Sequence, residues 1–329
     1  MARRFITEFG AGERVENQVF LIDSKDLRTT TQGSLYIHAI LRDRTGQIPA
    51  RMWQATEGMY KSMPEGGFLA FTGRVESYKG NLQFIIDGIR EAQQSDIVLG
   101  DFLPHTEGDV ETMFARVLEI LQGIQNEHLV ALTKQFTDDE QLMADFKRSP
   151  AAVQLHHAYI GGLLEHTLNL LELALVVIPR YPELSLDLML TSIFLHDIGK
   201  TTELTYRTNF TYSDEGQLVG HIVQACLWID QKAAAVEKAT GQPFPEDLEV
   251  VLQHMILSHH GAYEFGSPRL PTIPEAIALH HLDNLDAKVH MHLREIAEDR
   301  DPDSHWTQYI RNLETKIYKK DLFGTRKKK

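Results

Sequence analysis

The sequence predicts a multidomain α+β chain, with a five-stranded β-barrel at its N-terminus followed by an all-α helical bundle. Three observations carry this. Up to Ala92 the apolar residues alternate or cluster in short runs cut by turn signals, which is the pattern of strands. From Asp109 nearly to the end they recur at helical spacing. Charge divides at the same place: residues 1–92 hold 12 Lys and Arg against 11 Asp and Glu, whereas residues 93–329 hold 21 against 35. A length of 329 residues accommodates two domains with different tasks.

Composition narrows the class. At 43% hydrophobic and 24% charged, the chain is an ordinary globular one. No uninterrupted apolar run reaches the ~18 residues of a membrane span. Residues 160–178 come nearest, interrupted by Glu165, His166, Asn169 and Glu172. No apolar signal-peptide core follows Arg3 and Arg4. Cys226 is the only cysteine, which rules out an intrachain disulfide and a Cys-based zinc site. A cytoplasmic location without a membrane partner is the expectation.

The strands follow in order. Residues 15–27 begin with mixed alternation, and 34–42 alternate cleanly. Asp43-Arg44-Thr45-Gly46 is a turn signal, with 47–53 as the return strand. Residues 55–62 suit a short helix. Strands at 68–78 and 82–89 are joined through Lys79-Gly80-Asn81. Five strands with a helix between the third and fourth fit an OB-fold β-barrel, assigned to residues 1–92. The run Leu41-x-Asp43-x-Thr45-Gly46-x-Ile48-x-Ala50-x-x-Trp53 resembles the nucleic-acid-binding OB families. Such barrels use basic groups on phosphates and aromatic rings under bases. The candidates are Tyr36, Arg42, Arg44, Arg51, Trp53, Tyr78, Lys79 and Phe84, and only those facing solvent can stack a base.

Residues 93–108, with Gly100, Pro104 and little periodicity, read as a linker. Helices are expected at 110–125, 127–135, 138–147, 152–178, 186–197, 217–240, 246–259, 273–298 and 304–320, with prolines between several of them. The helical domain is placed at 109–322. Residues 323–329 read as a basic C-terminal tail; the basic run from Lys316 onward suits a frayed end or, as the alternative, an accessory phosphate contact.

The helical part concentrates chemistry. Residues 186–195 are almost wholly apolar and lead straight into His196 and Asp197, with Gly199 as a natural helix stop. A carboxylate buried there must be paired or hold a metal. His166, His221, the pair His259-His260 and Asp283 lie in or beside other apolar helices, as in bundles that build internal metal sites.

The order His … His-Asp … His … His-His … Asp resembles the HD phosphohydrolase superfamily, and its two-metal branch through Gly199-Lys200 and the extra histidines. Together with Gly161-Gly162-Leu163-Leu164-Glu165-His166, Tyr212-Ser213-Asp214-Glu215-Gly216, Phe265-Gly266-Ser267-Pro268, Asp283-Asn284-Leu285-Asp286-Ala287-Lys288 and the preceding barrel, it is similar to the YhaM-type 3′→5′ exoribonucleases over about residues 12 to 300. The resemblance implies that His166, His196, Asp197 and Asp283 bind one divalent metal. Asp197 would bridge to a second, held by His221, His259 and His260, whose division stays open. Lys200 would contact a phosphate oxygen, so that Asp197 and Lys200 are the catalytic pair. His280, His281, Asp286, His290 and His292 would support the ligands or lie at the surface. His156 and His157 suit either the substrate entrance or a helix start, and Asp214-Glu215-Gly216 either a loop cap or a substrate contact.

Mixed imidazole and carboxylate ligands suit two Mn²⁺ ions, the family's expectation, with Fe, Co, Ni or Zn as alternatives. The implied activity is hydrolysis of single-stranded RNA, with single-stranded DNA as a further substrate, to nucleoside 5′-monophosphates by a two-metal-activated water. Two other readings compete: a phosphohydrolase acting on nucleotides or cyclic dinucleotides, against which the barrel speaks, and a non-catalytic nucleic-acid-binding protein, against which the intact ligand set speaks. Homo-oligomer formation is left open by the sequence.

Overall fold

The computed structural model describes residues 3–325 except 154, 155, 207, 208, 300 and 302, so residues 326–329 of the expected basic tail lie outside the described residues. The chain divides into two compact units, one of Met1–His105 with Tyr206–Phe210, the other of Thr106–Thr205 with Thr211–Lys329.

In the first unit, β1 (Arg14–Thr29), β2 (Leu35–Asp43), β3 (Gly46–Trp53), β4 (Phe68–Tyr78) and β5 (Asn81–Glu91) close a barrel in the order β1-β2-β3-β5-β4. Helix α1 (Glu57–Ser62) lies between β3 and β4, capped by the Thr56 hydroxyl, which accepts from Met59 N at 3.2 Å. Alternation decides which side chains fill the interior. Ile37, Ala39 and Leu41 of β2 and Ile48, Ala50 and Met52 of β3 are buried with Phe20, Phe71 and Phe84. Phe84 is therefore core and cannot stack a base. Closure needs Gly73: a Cβ there would stand 2.1 Å from the Ile85 carbonyl oxygen, at the register shift between β4 and β5.

The boundary between units falls at 105/106, inside the segment expected as a linker. Much of that segment packs on the first unit. Phe102 is buried against Val19, Leu21 and Ala70, with Ala92 and Ile97 beside them. Apolar contact, invisible to local composition, replaces the free linker.

The second unit contains α2 (Val110–Leu121), α3 (Glu127–Thr137), α4 (Glu140–Phe146), α5 (Gly162–Val177), α6 (Leu186–Leu195), α7 (Lys200–Glu203), the short strands β6 (Leu204–Thr205) and β7 (Thr211–Tyr212), α8 (Asp214–Leu218), α9 (His221–Thr240), α10 (Glu246–Ser258) and α11 (Pro274–Glu298). Side chains of Asp109, Asn126, Asp139, Ser185 and Ser213 cap the starts of α2, α3, α4, α6 and α8. Phe136, Phe146 and Phe194 meet edge-on in the core. Every residue of α6 from Leu188 to Leu195 is buried, which explains its continuous apolar run. Gly162–Arg180 is apolar and long enough to cross a membrane by composition, but half of it is buried inside the bundle, where it carries His166.

Three expected helices differ. The one expected over 217–240 is broken at Gly220, which has φ +79°, so that α8 ends at Leu218 and α9 begins at His221. The one expected over 152–178 is helical only from Gly162 to Val177; Gly161 before it has φ +82°. Residues 304–320 form no α-helix: Trp306 bridges Tyr318 and Ile310 bridges Thr315 in antiparallel fashion, around a 3₁₀ turn at Arg311–Leu313.

Candidate metal centre and nucleic-acid surface

Five helices deliver one cluster. His166 comes from the first turns of α5, His196 and Asp197 from the end of α6, His221 from the start of α9, His259 and His260 from the end of α10, and Asp283 from the middle of α11. The Gly199 reading needs correction. Its φ is −64°, an ordinary helical value, so it is no left-handed stop. A Cβ at Gly199 would stand 2.3 Å from the His221 carbonyl oxygen. The glycine lets α9 begin against the His-Asp turn, which brings His221 to Asp197.

Asp197 is the centre of the arrangement, with each oxygen facing different imidazoles. Oδ2 lies 3.3 Å from His196 Nε2 and 3.8 Å from His166 Nε2, and accepts from Lys200 Nζ at 2.6 Å. Oδ1 lies 3.4 Å from His221 Nε2 and 3.7 Å from His259 Nε2. Asp283 Oδ1 is 3.2 Å from His166 Nε2. His221, His259 and His260 group closely enough to share one ion, as do His166, His196 and Asp197.

The other ring nitrogens fix the tautomers. Nδ1–H of His196 donates to Ile193 O at 2.7 Å, of His259 to Ile256 O at 2.6 Å, and of His260 to Phe265 O at 2.9 Å. Nδ1–H of His166 donates to Asp286 Oδ2 at 2.7 Å, and of His221 to Glu203 Oε1 at 2.8 Å. Each imidazole, when it carries a single proton, is thereby left with its Nε2 lone pair. The Nε2 atoms of His166, His196, His221 and His259, and Oδ1 of Asp197, are buried without a hydrogen-bond partner among the described residues. A buried polar atom left unpaired is costly, and a converging set of such lone pairs fits a cation. Separations of 3.2–3.8 Å suit atoms sharing a coordination shell with bonds of about 2.0–2.2 Å.

The electrostatics agree. Burial works to raise Asp197, but Lys200 and His196 hold it well below the ordinary carboxylate range. Burial, then His259 and His221, lower His260 to about 3, so it is neutral and ready to ligate. Burial also pulls His166 down, yet Asp283 and Asp286 outweigh it and raise it to about 9. A divalent cation at His166 therefore displaces a proton.

A buried network stands behind this shell. Asp286 accepts from His166, from His157 Nε2 at 2.8 Å and from Asn169 Nδ2 at 3.1 Å. With its Nε2 donating, His157 uses Nδ1 to accept from the Tyr159 hydroxyl at 2.8 Å, and its ring stacks on His290 at 3.9 Å. Asp283, Asp286 and His290 share one face of α11 at spacings of three and four. On the other side, Glu203 Oε1 also accepts from His221 N at 3.0 Å. Two residues of the 213–216 turn pack on Glu203: Ser213 N donates to Glu203 O at 2.9 Å, and a Cβ at Gly216 would meet that same oxygen at 2.3 Å. Sequence reasoning missed Glu203 and Asn169 and left His157 open, because their bonds join segments far apart in the chain. His280 Nδ1 donates to His259 O at 2.9 Å, while the His281 side chain is exposed.

On the barrel, the outward faces of β2 and β3 gather part of the expected surface. Tyr36 and Trp53 are cross-strand partners with ring centroids 5.1 Å apart. The Arg51 guanidinium lies 5.8 Å from the Trp53 ring and 5.3 Å from that of Tyr78, and Lys79 Nζ lies 5.5 Å from Tyr78. Trp53 and Tyr78 are about half exposed. His38 sits opposite Arg51 and Arg28 opposite Tyr36, two neighbours sequence reasoning passed over. Arg42 and Arg44 do not join this cluster. Arg42 pairs with Asp23 at 3.1 Å, six residues and roughly 20 Å along β2 from Tyr36. Arg44 lies over the Phe5 ring at 4.3 Å, in the turn that Asp43 fixes by accepting from Ile6 N and Thr45 N.

Comparison with known proteins gives the following. The HD domain family model matches residues 163–288, and that of the OB-fold nucleic acid binding domain matches residues 22–92. The 3′-5′ exoribonuclease YhaM of Geobacillus sp. (strain WCH70) is 35% identical over 325 residues, which are 97% of this chain and 96% of that protein. Among solved structures, a domain of replication protein A from Methanococcus maripaludis aligns with 29% of this chain and 99% of its own, at 18% identity and a TM-score of 0.24. The solution structure of the second OB-fold domain of that protein aligns with 28% of this chain and 97% of its own, at 17% identity and a TM-score of 0.23.

Proposed function

Because the chain belongs to the YhaM family of 3′-5′ exoribonucleases and is a metal-dependent phosphodiester hydrolase, we propose that it removes nucleoside 5′-monophosphates one at a time from the 3′ end of single-stranded RNA. The observation that carries this reading is the ring of Nε2 lone pairs around the two oxygens of Asp197. His166, His196, Asp197 and Asp283 would hold one cation, and Asp197, His221, His259 and His260 the other, with Mn²⁺ favoured by the mixed nitrogen and oxygen donors. When bound, the pair supplies Lewis-acid stabilisation of phosphate charge and a water activated near neutral pH.

The chain's own residues do the rest. The Lys200 ammonium, buried at Asp197, keeps further N–H groups with which it would meet a phosphate oxygen at the cations and offset its developing charge. Asp286 and Glu203 keep His166 and His221 in the ligating tautomer. Tyr36, Trp53 and Tyr78 stack bases, while Arg51 and Lys79 neutralise phosphates.

The test is an incubation of purified protein with Mn²⁺ and ~20-nucleotide single-stranded RNA labelled at either end. A 3′ label should appear at once as mononucleotide, and a 5′ label as a descending ladder. Intact RNA beside hydrolysed nucleotides or cyclic dinucleotides would replace this reading with that of a small-nucleotide phosphohydrolase.

A further inference from the structure

The segment after α11 reverses the charge of its surroundings. Residues 304–320 contain Arg311, Lys316, Lys319 and Lys320 against Glu314 alone, within a portion of the chain where acids outnumber bases 35 to 21. The segment is a hairpin. Thr307 N donates to Ile317 O at 2.9 Å, Ile310 N to Thr315 O at 2.9 Å and Lys319 N to His305 O at 2.8 Å, and Glu314 makes the reversal at φ +52°. One face is fastened down. Thr307 and Ile317 are buried, and the Lys319 ammonium binds Asp299 and the Asp301 carbonyl just past the end of α11.

The other face is open. The Trp306 and Tyr318 rings meet edge-on at 5.0 Å and are 51% and 40% exposed, and Tyr309 is 57% exposed. Lys316 and Lys320 flank Tyr318 at spacings of two, on the same side of the strand, and with Arg311 they are exposed and make no ion pair among the described residues. Exposed aromatic groups of this size mark an interaction surface. Interleaved cations disfavour a purely apolar partner. Rings for bases and cations for phosphates are the chemistry of single-stranded nucleic acid binding.

We infer that this hairpin is a second strand-holding surface, stacking bases on Trp306, Tyr309 and Tyr318 and contacting phosphates through Arg311, Lys316 and Lys320. The inference rests on the RNA reading of the metal centre. About fifteen residues of α11, roughly 22 Å, separate Asp283 from the end of that helix, so a short substrate at the metals does not reach the hairpin.

The experiment uses the full chain in EDTA, which stops hydrolysis, with fluorescence anisotropy of a labelled ~20-nucleotide RNA. Trp306→Ala and Tyr318→Ala should each weaken binding about tenfold, with Trp306→Phe retaining most of it. Lys316→Glu with Lys320→Glu should lower the slope of log affinity against log salt by about 1 to 2. With Mn²⁺ restored, all of them should hydrolyse bis-p-nitrophenyl phosphate as the wild type does. Wild-type binding with unchanged variants would overturn the hairpin alone, and absence of RNA binding by the wild type would overturn the substrate reading with it. Loss of binding accompanied by a changed mass in light scattering would overturn it in favour of a contact between copies of the chain.

Discussion

Asp197 faces one group of imidazoles with each oxygen, so removing it should dismantle both metal positions at once. Asp197→Ala is expected to lower phosphodiester hydrolysis about a thousandfold or more, while RNA binding in EDTA stays at the wild-type level. Turnover near wild type at saturating metal would refute the site. The supporting carboxylates separate the two positions. Asp286→Ala should weaken one ion and Glu203→Ala the other, each by about 10–100-fold. Elemental analysis after dialysis should then find near one ion per chain in either variant, and full loss of both only in Asp197→Ala. At this scale the residues that gather around Asp197 were legible as a cluster, because histidines and acids recur on helices too apolar to be surface. Their supports were not: His157 reaches Asp286 across 129 positions, and no local pattern marks that bond.

Among the elements, α6 and α10 end in the same device. His196 and His259 each turn Nδ1–H onto the carbonyl three residues earlier, so a candidate ligand also satisfies a helix-terminal acceptor. Gly199 extends this economy to the start of α9. Gly199→Ala should cost about 1–3 kcal/mol through the clash with the His221 carbonyl. Thermal denaturation would read the loss of stability, and metal analysis should show His221's ion leaving first. A variant as stable as wild type with both ions would mean that α9 can retreat freely. The barrel strands were legible from alternation. The hairpin at 304–320 was not, because Trp306, Tyr309, Ile310, Leu313 and Ile317 happen to fall at helical spacing. Cross-strand bonds and the anchoring of Lys319 decide against the helix there, and both act over distances that periodicity does not register.

For the whole molecule, charge assigns labour. The acidic second unit would repel a polyanion away from any bound cation and from the proposed hairpin surface, whereas the first unit is close to neutral. Trp53→Ala or Tyr78→Ala should therefore weaken kcat/KM for a long RNA about tenfold each, since stacking contributes ~1–3 kcal/mol per base. Hydrolysis of bis-p-nitrophenyl phosphate should not change. Equal losses on both substrates would give those rings a structural role instead. The division into a barrel and a helical bundle was legible from periodicity and charge. The exact border was not, since Phe102 belongs to the barrel's packing while its neighbours read as a connector.

The tautomers of the metal centre also dictate a sequence of events. Without cations the pocket has few donors to offer: the proton on His166 faces Asp283, and the Lys200 ammonium is held by Asp197. A phosphodiester brings only acceptors. Acceptor cannot bind acceptor, so cations must enter before the 3′ end does, a compulsory order of addition. Initial rates should follow that pattern: raising RNA should lower the metal concentration needed for half-maximal rate, because RNA that adds second traps the metal-loaded form, and a dinucleotide too short for the barrel should show no measurable binding in EDTA. Tight dinucleotide binding without metal would make the order random.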